Sequence, residues 1–227
     1  MKNFTTLIKE TFGIYKEKIK PILALIAISI TTAIIFGLSF TSLLAIEMMD
    51  QAGASMSHLV IEIILFGIIL LTMVCFMFIG LSFLICVIKP AGTKLKEIFQ
   101  DAWKKLWQYI LIVLLVGFFT LLSCFLLFIP GIIVGVYLMF CSYVFVAEGG
   151  KGMDVLKRSW ALVKGNWWKI FGRIVLLNIV VMIIFSILSS ANDLLGSLFQ
   201  YFCIPFSTIF MYLMYLELKK SKEMLKE

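Results

Sequence analysis

The stretch Met153–Ala191, MDVLKRSWALVKGNWWKIFGRIVLLNIVVMIIFSILSSA, holds one complete unit of the architecture. Met153, Leu156, Trp160, Val163 and Trp167 recur at steps of three and four residues, which marks one face of an α-helix. Lys157, Arg158 and Lys164 lie off that stripe. A basic helix with tryptophan on its apolar face belongs in the headgroup plane of a membrane. Gly165-Asn166 suits the end of that helix, because both residue types tolerate a left-handed C-cap. Trp167-Trp168-Lys169 follows as an aromatic belt. Ile170–Ser190 is then apolar for about 21 residues, enough at about 1.5 Å per residue to cross a hydrocarbon core roughly 30 Å thick.

Outward from this stretch the pattern continues. Apolar runs at Ile22–Ile46, Leu59–Ile88, Trp107–Phe128, Ile132–Ala147, Ile170–Ser190 and Leu194–Leu216 predict six spans. The third and fourth join at a sharp Pro130-Gly131 turn, and Pro205 predicts a kink in the sixth. Of 20 Lys and Arg residues, all but Arg173 fall in Met1–Lys20, Lys89–Gln108, Glu148–Lys169 and Glu217–Glu227. The intervening loops Glu47–His58, Ile129–Gly131 and Ala191–Ser197 contain none. The positive-inside bias therefore predicts a multi-pass protein of the cytoplasmic (inner) membrane, with both termini in the cytoplasm.

Composition agrees. A mean hydropathy of +1.08 with 62% hydrophobic residues excludes an ordinary soluble domain. No segment between spans exceeds about 25 residues, too short to bury a core of its own, so residues 1–227 are expected to form a single membrane domain with no appended soluble one. The first apolar run is too long for a signal-peptide core and no A-x-A site follows it, which predicts an uncleaved first span. The net charge of +7 lies in short segments rather than on a folded reader, which argues against nucleic acid as a partner. It suits anionic headgroups. The five cysteines all fall within predicted spans without motif spacing and read as packing residues, not disulfides.

The basic segments resemble one another. The first reads Leu7-Ile8…Thr11-Phe12, the second Ile98-Phe99…Ala102-Trp103 and the third Val155-Leu156…Ser159-Trp160. Gly92 and Gly149 stand at equal distances before the second and third aromatics. This order predicts an all-α membrane fold of six transmembrane helices and three cytoplasmic interfacial amphipathic helices. They form a threefold internal repeat of interfacial helix plus helical hairpin, in units of about 1–88, 89–147 and 148–219.

Chemistry-bearing residues are few. A single histidine, His58, excludes sites that need two, and neither a G-x-S-x-G elbow nor a phosphate-binding P-loop occurs. No metal-ligand set and no cofactor motif is present in the sequence. Arg173 reads as a snorkelling residue, Asn178 as interhelical glue, and Glu62 either as another interfacial residue or as a proton or cation site. Glu148 is the sharpest candidate. It ends span 4 just before Gly149-Gly150 and close to Lys151, Lys157 and Arg158. Such a carboxylate either locks loop to helix through a cation or the N-terminus of the next helix, or grips a headgroup or coupling ion.

From Ile129 to Gly172 the chain carries a Pro-Gly pair, an apolar span ending in Glu148-Gly149, and a run with Ser159, Trp160, Leu162, Gly165, Asn166 and Trp168. This pattern resembles the glycerophosphoryl diester phosphodiesterase membrane domain family and the related inner-membrane proteins of the YciC type. Val155 departs from it, since the family usually has alanine there. The resemblance implies a multi-pass membrane module without supplying a reaction, because in fused members hydrolysis belongs to a separate soluble barrel.

These readings converge on a non-enzymatic membrane module. It is expected to engage anionic lipid headgroups, a membrane-protein partner or a second copy of itself. The candidate contact residues are Glu148, Lys157, Arg158, Ser159, Trp160, Lys164, Asn166, Trp167 and Trp168, with Pro130, Gly131, Gly149, Gly165 and Pro205 as structural positions. A carrier of a lipid or small apolar solute is the first alternative. A membrane-embedded enzyme acting on lipid headgroups is the second.

Overall fold

Apolar sequence in long runs leaves a backbone only one economical way to satisfy its own polar groups, the α-helix. The computed structural model describes residues 3–49, 56–126 and 128–224, and among them every regular element is helical. In chain order these are α1 (Phe4–Glu17), α2 (Ile19–Met49), α3 (Met56–Ile88), α4 (Leu95–Leu126), α5 (Phe128–Leu138), α6 (Cys141–Glu148), α7 (Met153–Val163), α8 (Trp167–Ala191) and α9 (Asp193–Glu223). Six stretches are long and apolar enough to cross a membrane: Ile19–Leu44, Val60–Ile88, Leu95–Phe125, Ile129–Glu148, Trp167–Ala191 and Asp193–Glu223. The chain is a multi-pass membrane protein. Of the expected outer loop Glu47–His58, residues 50–55 and the side chains of Glu47 and His58 lie outside the described residues.

Three antiparallel hairpins, α2–α3, α4–α5 and α8–α9, are the most closely packed helix pairs, with α1 laid along α9. Two of them close tightly through glycine. A methyl on Gly131 would come within 3.0 Å of Cys124 Cα, and one on Gly196 within 3.2 Å of Ser189 Cα. Small residues let membrane helices approach this closely. The α4–α5 turn falls earlier than expected: α4 ends at Leu126, and Pro130-Gly131 already belong to the first turn of α5. Proline is harmless there, because a first-turn N–H has no intrahelical partner to lose.

Two other prolines act differently. Pro21 deprives the Glu17 carbonyl of its helical donor, and the chain turns at Lys18 between α1 and α2. Pro205, by contrast, lies buried within a single uninterrupted α9, so the sixth span is not divided. The division falls in span 4, where Met139-Phe140 separates α5 from α6. No proline or glycine stands at that break. The local feature is the buried Ser159 hydroxyl, which donates to the Tyr137 carbonyl at 2.7 Å; a side chain bonded into the backbone ladder is a recognised cause of a sharp bend.

The three basic segments are all helical, and their burial follows one rule. Leu7, Ile98 and Val155 are buried, as are Thr11, Ala102 and Ser159, while Phe12, Trp103 and Trp160 are exposed. The second segment is not a separate helix, since α4 runs from Leu95 straight into the span. Gly92 and Gly149 both take positive φ, at 93° and 68°, a conformation that glycine adopts without Cβ strain.

Lys18 is the most buried cation described, at 8% exposure. Its ammonium donates to the carbonyls of Cys86 (3.0 Å), Val87 (2.7 Å) and Lys89. It thereby satisfies the free carbonyls at the negative end of α3. Burial holds the Lys18 pKa below its ordinary value, an effect that the neighbouring Glu17 partly offsets. Replacement by methionine would leave these carbonyls unsatisfied at about 1–3 kcal/mol each. Lys18→Met is therefore expected to lower the thermal midpoint in detergent clearly, and Lys18→Arg to lower it less. An unchanged midpoint for Lys18→Met would remove this cap from the account.

Candidate functional site

The cluster around Glu148 is built by three elements. Glu148 is the last residue of α6, Arg158 lies in the middle of α7, and Tyr215 and Lys219 stand one turn apart on α9. Gly149, Gly150 and Gly152 take φ of 68°, 142° and 52°, so α7 turns back directly from the end of α6. Glu148 Oε1 accepts from the Tyr215 hydroxyl at 2.6 Å and from Lys219 Nζ at 3.0 Å, while Oε2 accepts from Arg158 at 3.3 Å. Tyr215 is itself buried and stacks with Tyr143 and Tyr212 at centroid separations of 6.4 and 6.2 Å. The Tyr143 hydroxyl donates to the Thr208 carbonyl at 3.2 Å.

The expected tie from Glu148 to the following helix is present, through Arg158. Lys157 does not join it but lines a groove against α4 and α5, and among the described residues no bond runs from the N-terminus of α7 to Glu148. Two of the three partners come from α9, some 70 residues on. Sequence reasoning missed both. The available signal was the Tyr212, Tyr215, Lys219 spacing, which places all three on one helical face.

Helix α7 is rotated relative to the predicted stripe. Its buried residues are Val155, Leu156, Ser159, Leu162 and Val163, whereas Met153 and Trp160 are exposed. The bundle therefore takes a face about 100° away from the Met153–Trp160 edge. Trp160 lies flat on Tyr137, with ring centroids 4.0 Å apart. The Lys164 carbonyl accepts from Lys222 Nζ at 2.8 Å. Gly165 takes the expected positive φ, 91°, but Asn166 does not; at φ −124° it is the N-cap residue of α8 instead.

The expected aromatic belt divides in two. Trp168 is 77% exposed, while Trp167 stacks on Phe171 and its indole N–H approaches the Ile133 carbonyl at 3.4 Å. In a straight fourth span Ile133 would lie about 20 Å from the end at Ala147. Two short helices in place of one rod let the foot of α8 rest against α5.

Other polar residues in the spans are also in different positions from those expected. Arg173 is not a solitary snorkelling residue: it pairs with Glu217 at 2.8 Å, with side-chain exposures of 13% and 11%. Asn178 donates to Ile174 of its own helix rather than across an interface. Glu62 is half-buried, with no ion-pair partner among the described residues. Among the described residues no group of His, Cys, Asp and Glu is placed to hold a metal, and the five cysteines are free. No protein-family model, curated protein or solved structure matches this chain.

Magnitudes rank the contacts to Glu148. Arg158 is 53% exposed, and such ion pairs contribute about 0–1 kcal/mol. The buried Tyr215 hydroxyl bonds a charged acceptor, a contact of about 1.5–3 kcal/mol. Tyr215→Phe is therefore expected to destabilise the protein more than Arg158→Gln, with Glu148→Gln at least as damaging as Tyr215→Phe. Thermal unfolding of the three variants in one detergent checks the order, and an Arg158→Gln protein that proved the least stable would reverse it.

Proposed function

We propose that this chain is a non-enzymatic, lipid-engaging module of the cytoplasmic membrane, with both termini in the cytoplasm. Its basic helical segments lie at that interface as a threefold series of segment plus hairpin. The observation that carries the reading is the exposure pattern of the segments. Each anchors an apolar residue and a small residue in the bundle, and each leaves an aromatic uncovered beside basic residues, at Phe12, Trp103 and Trp160. An uncovered aromatic next to lysine is what the headgroup region favours. The likeness of residues 129–172 to glycerophosphoryl diester phosphodiesterase membrane domains is in keeping with such a module.

Two further observations support this reading over an ion path or a catalyst. Hydroxyls within the spans donate to carbonyls of their own helices, as at Ser29, Thr32, Ser39, Thr72, Ser82 and Thr208. They therefore offer no continuous polar lining for an ion. Both oxygens of Glu148 are engaged by protein groups. The carrier reading keeps one specific support, the discontinuous span at Met139-Phe140, since broken helices recur at the binding sites of transporters.

The test is lipid dependence. Purified protein is expected to retain anionic phospholipid in native mass spectrometry, and its thermal midpoint is expected to rise more with phosphatidylglycerol than with phosphatidylcholine. Indifference to both lipids would overturn the module. Orientation is checked separately by labelling single cysteines in a cysteine-free background: Ser197→Cys should react with an impermeant reagent from outside intact cells, and Lys96→Cys should react only after permeabilisation. The reverse pattern would invert the topology.

A further inference from the structure

We propose that the groove between α4, α5 and α7 seats one anionic phospholipid, with an acyl chain along the groove and the phosphate on Lys157. The groove has a volume of about 350 Å³ and is walled by Phe119 and Ser123 of α4, Val134 and Leu138 of α5, and Lys157 and Trp160 of α7. That size falls within the usual range of small-molecule sites. Ser123 donates to the Phe119 carbonyl, so the wall presents a largely apolar surface. The surfaces beside it, Phe118, Leu121, Leu122 and Phe125, are exposed on a membrane-spanning helix and face lipid when the protein is in a bilayer.

Charge selects the class of lipid. Lys157 is exposed and has no acidic partner among the described residues, whereas Arg158 beside it is held by Glu148. An unpaired ammonium at the edge of an apolar groove complements one lipid feature, a phosphate whose headgroup carries no compensating cation. Trp160, stacked on Tyr137, lines this groove and serves as a built-in reporter. This assignment rests on the lipid-engaging reading above and narrows it to one lipid class at one place.

The experiment places the full chain, with Trp103, Trp107, Trp167 and Trp168 replaced by Phe, in nanodiscs doped with brominated phosphatidylglycerol or brominated phosphatidylcholine. Quenching of Trp160 is expected to show about a fivefold preference for phosphatidylglycerol, the contribution of one lysine at an anionic headgroup. Lys157→Gln should erase the preference and Lys157→Arg should retain it. Equal quenching by the two lipids, or a preference that survives Lys157→Gln, would overturn the site. Native mass spectrometry of the single-tryptophan protein and its Lys157→Gln variant gives a second measurement: the variant should retain one phosphatidylglycerol fewer, and equal retention would overturn the site. A dimer that leaves Trp160 unquenched would also overturn it, by giving the groove to a second copy. If phosphatidylglycerol still raises the thermal midpoint while Lys157→Gln changes nothing, the site alone fails; if no lipid changes the midpoint, the module reading fails with it.

Discussion

A carbonyl at the end of a helix has no intrahelical donor, and in a membrane protein there is little water to replace one. Much of this structure follows from how such carbonyls are met. Lys18 closes the end of α3, Lys105 reaches the Val146 carbonyl near the end of α6 at 3.4 Å, and Lys222 reaches the last turn of α7 through Lys164. Ser159 meets the Tyr137 carbonyl where span 4 breaks. These donors come from elements distant in sequence, so satisfying the backbone also fixes which helices lie side by side. Apolar packing alone would specify this poorly, since lipid tails are as apolar as leucine.

The cations form a pattern with the hairpins. Lys18, at the start of α2, is tied to the end of α3; Lys105, low in α4, to the end of α6; Arg173, near the start of α8, to Glu217 near the end of α9. In each case a cation at the foot of one span holds the closing end of the next. The chemistry differs, with backbone carbonyls in two cases and a carboxylate in the third, which is why no residue motif announces it. The Arg173–Glu217 pair shows the energetic consequence. A desolvated pair need add little net stability, yet removing one partner costs roughly 3–5 kcal/mol because it strands the other.

The sequence made the spans legible because hydropathy over twenty residues is a large, local signal. It also placed the three segments correctly as helices and linked Glu148 to Arg158, ten residues away. The missed features are those that depend on a second element. Tyr215 and Lys219 reach Glu148 only once α9 lies beside α6. The break at Met139-Phe140 has no proline or glycine to mark it. In α7 the apolar arc is wider than the Met153–Trp160 stripe, since Val155, Ser159 and Leu162 extend it. Periodicity located the arc but not which part of it the bundle would take.

That wider arc explains how α7 serves two environments. A helix on a soluble protein divides its surface between core and water. Here Val155, Ser159 and Leu162 face the bundle, Met153 and Trp160 stand beside the apolar groove, and Asp154, Arg158 and Lys164 occupy the remaining polar side. Small Ser159 is needed at the centre of the bundle face, where it bonds the broken span, and a larger residue would hold α7 away from Tyr137. Trp160 can then stack on that same tyrosine. The hydroxyl and the indole thus engage one residue from adjacent positions, the first through its backbone and the second through its ring. This couples the break in span 4 to the orientation of the helix that carries Lys157.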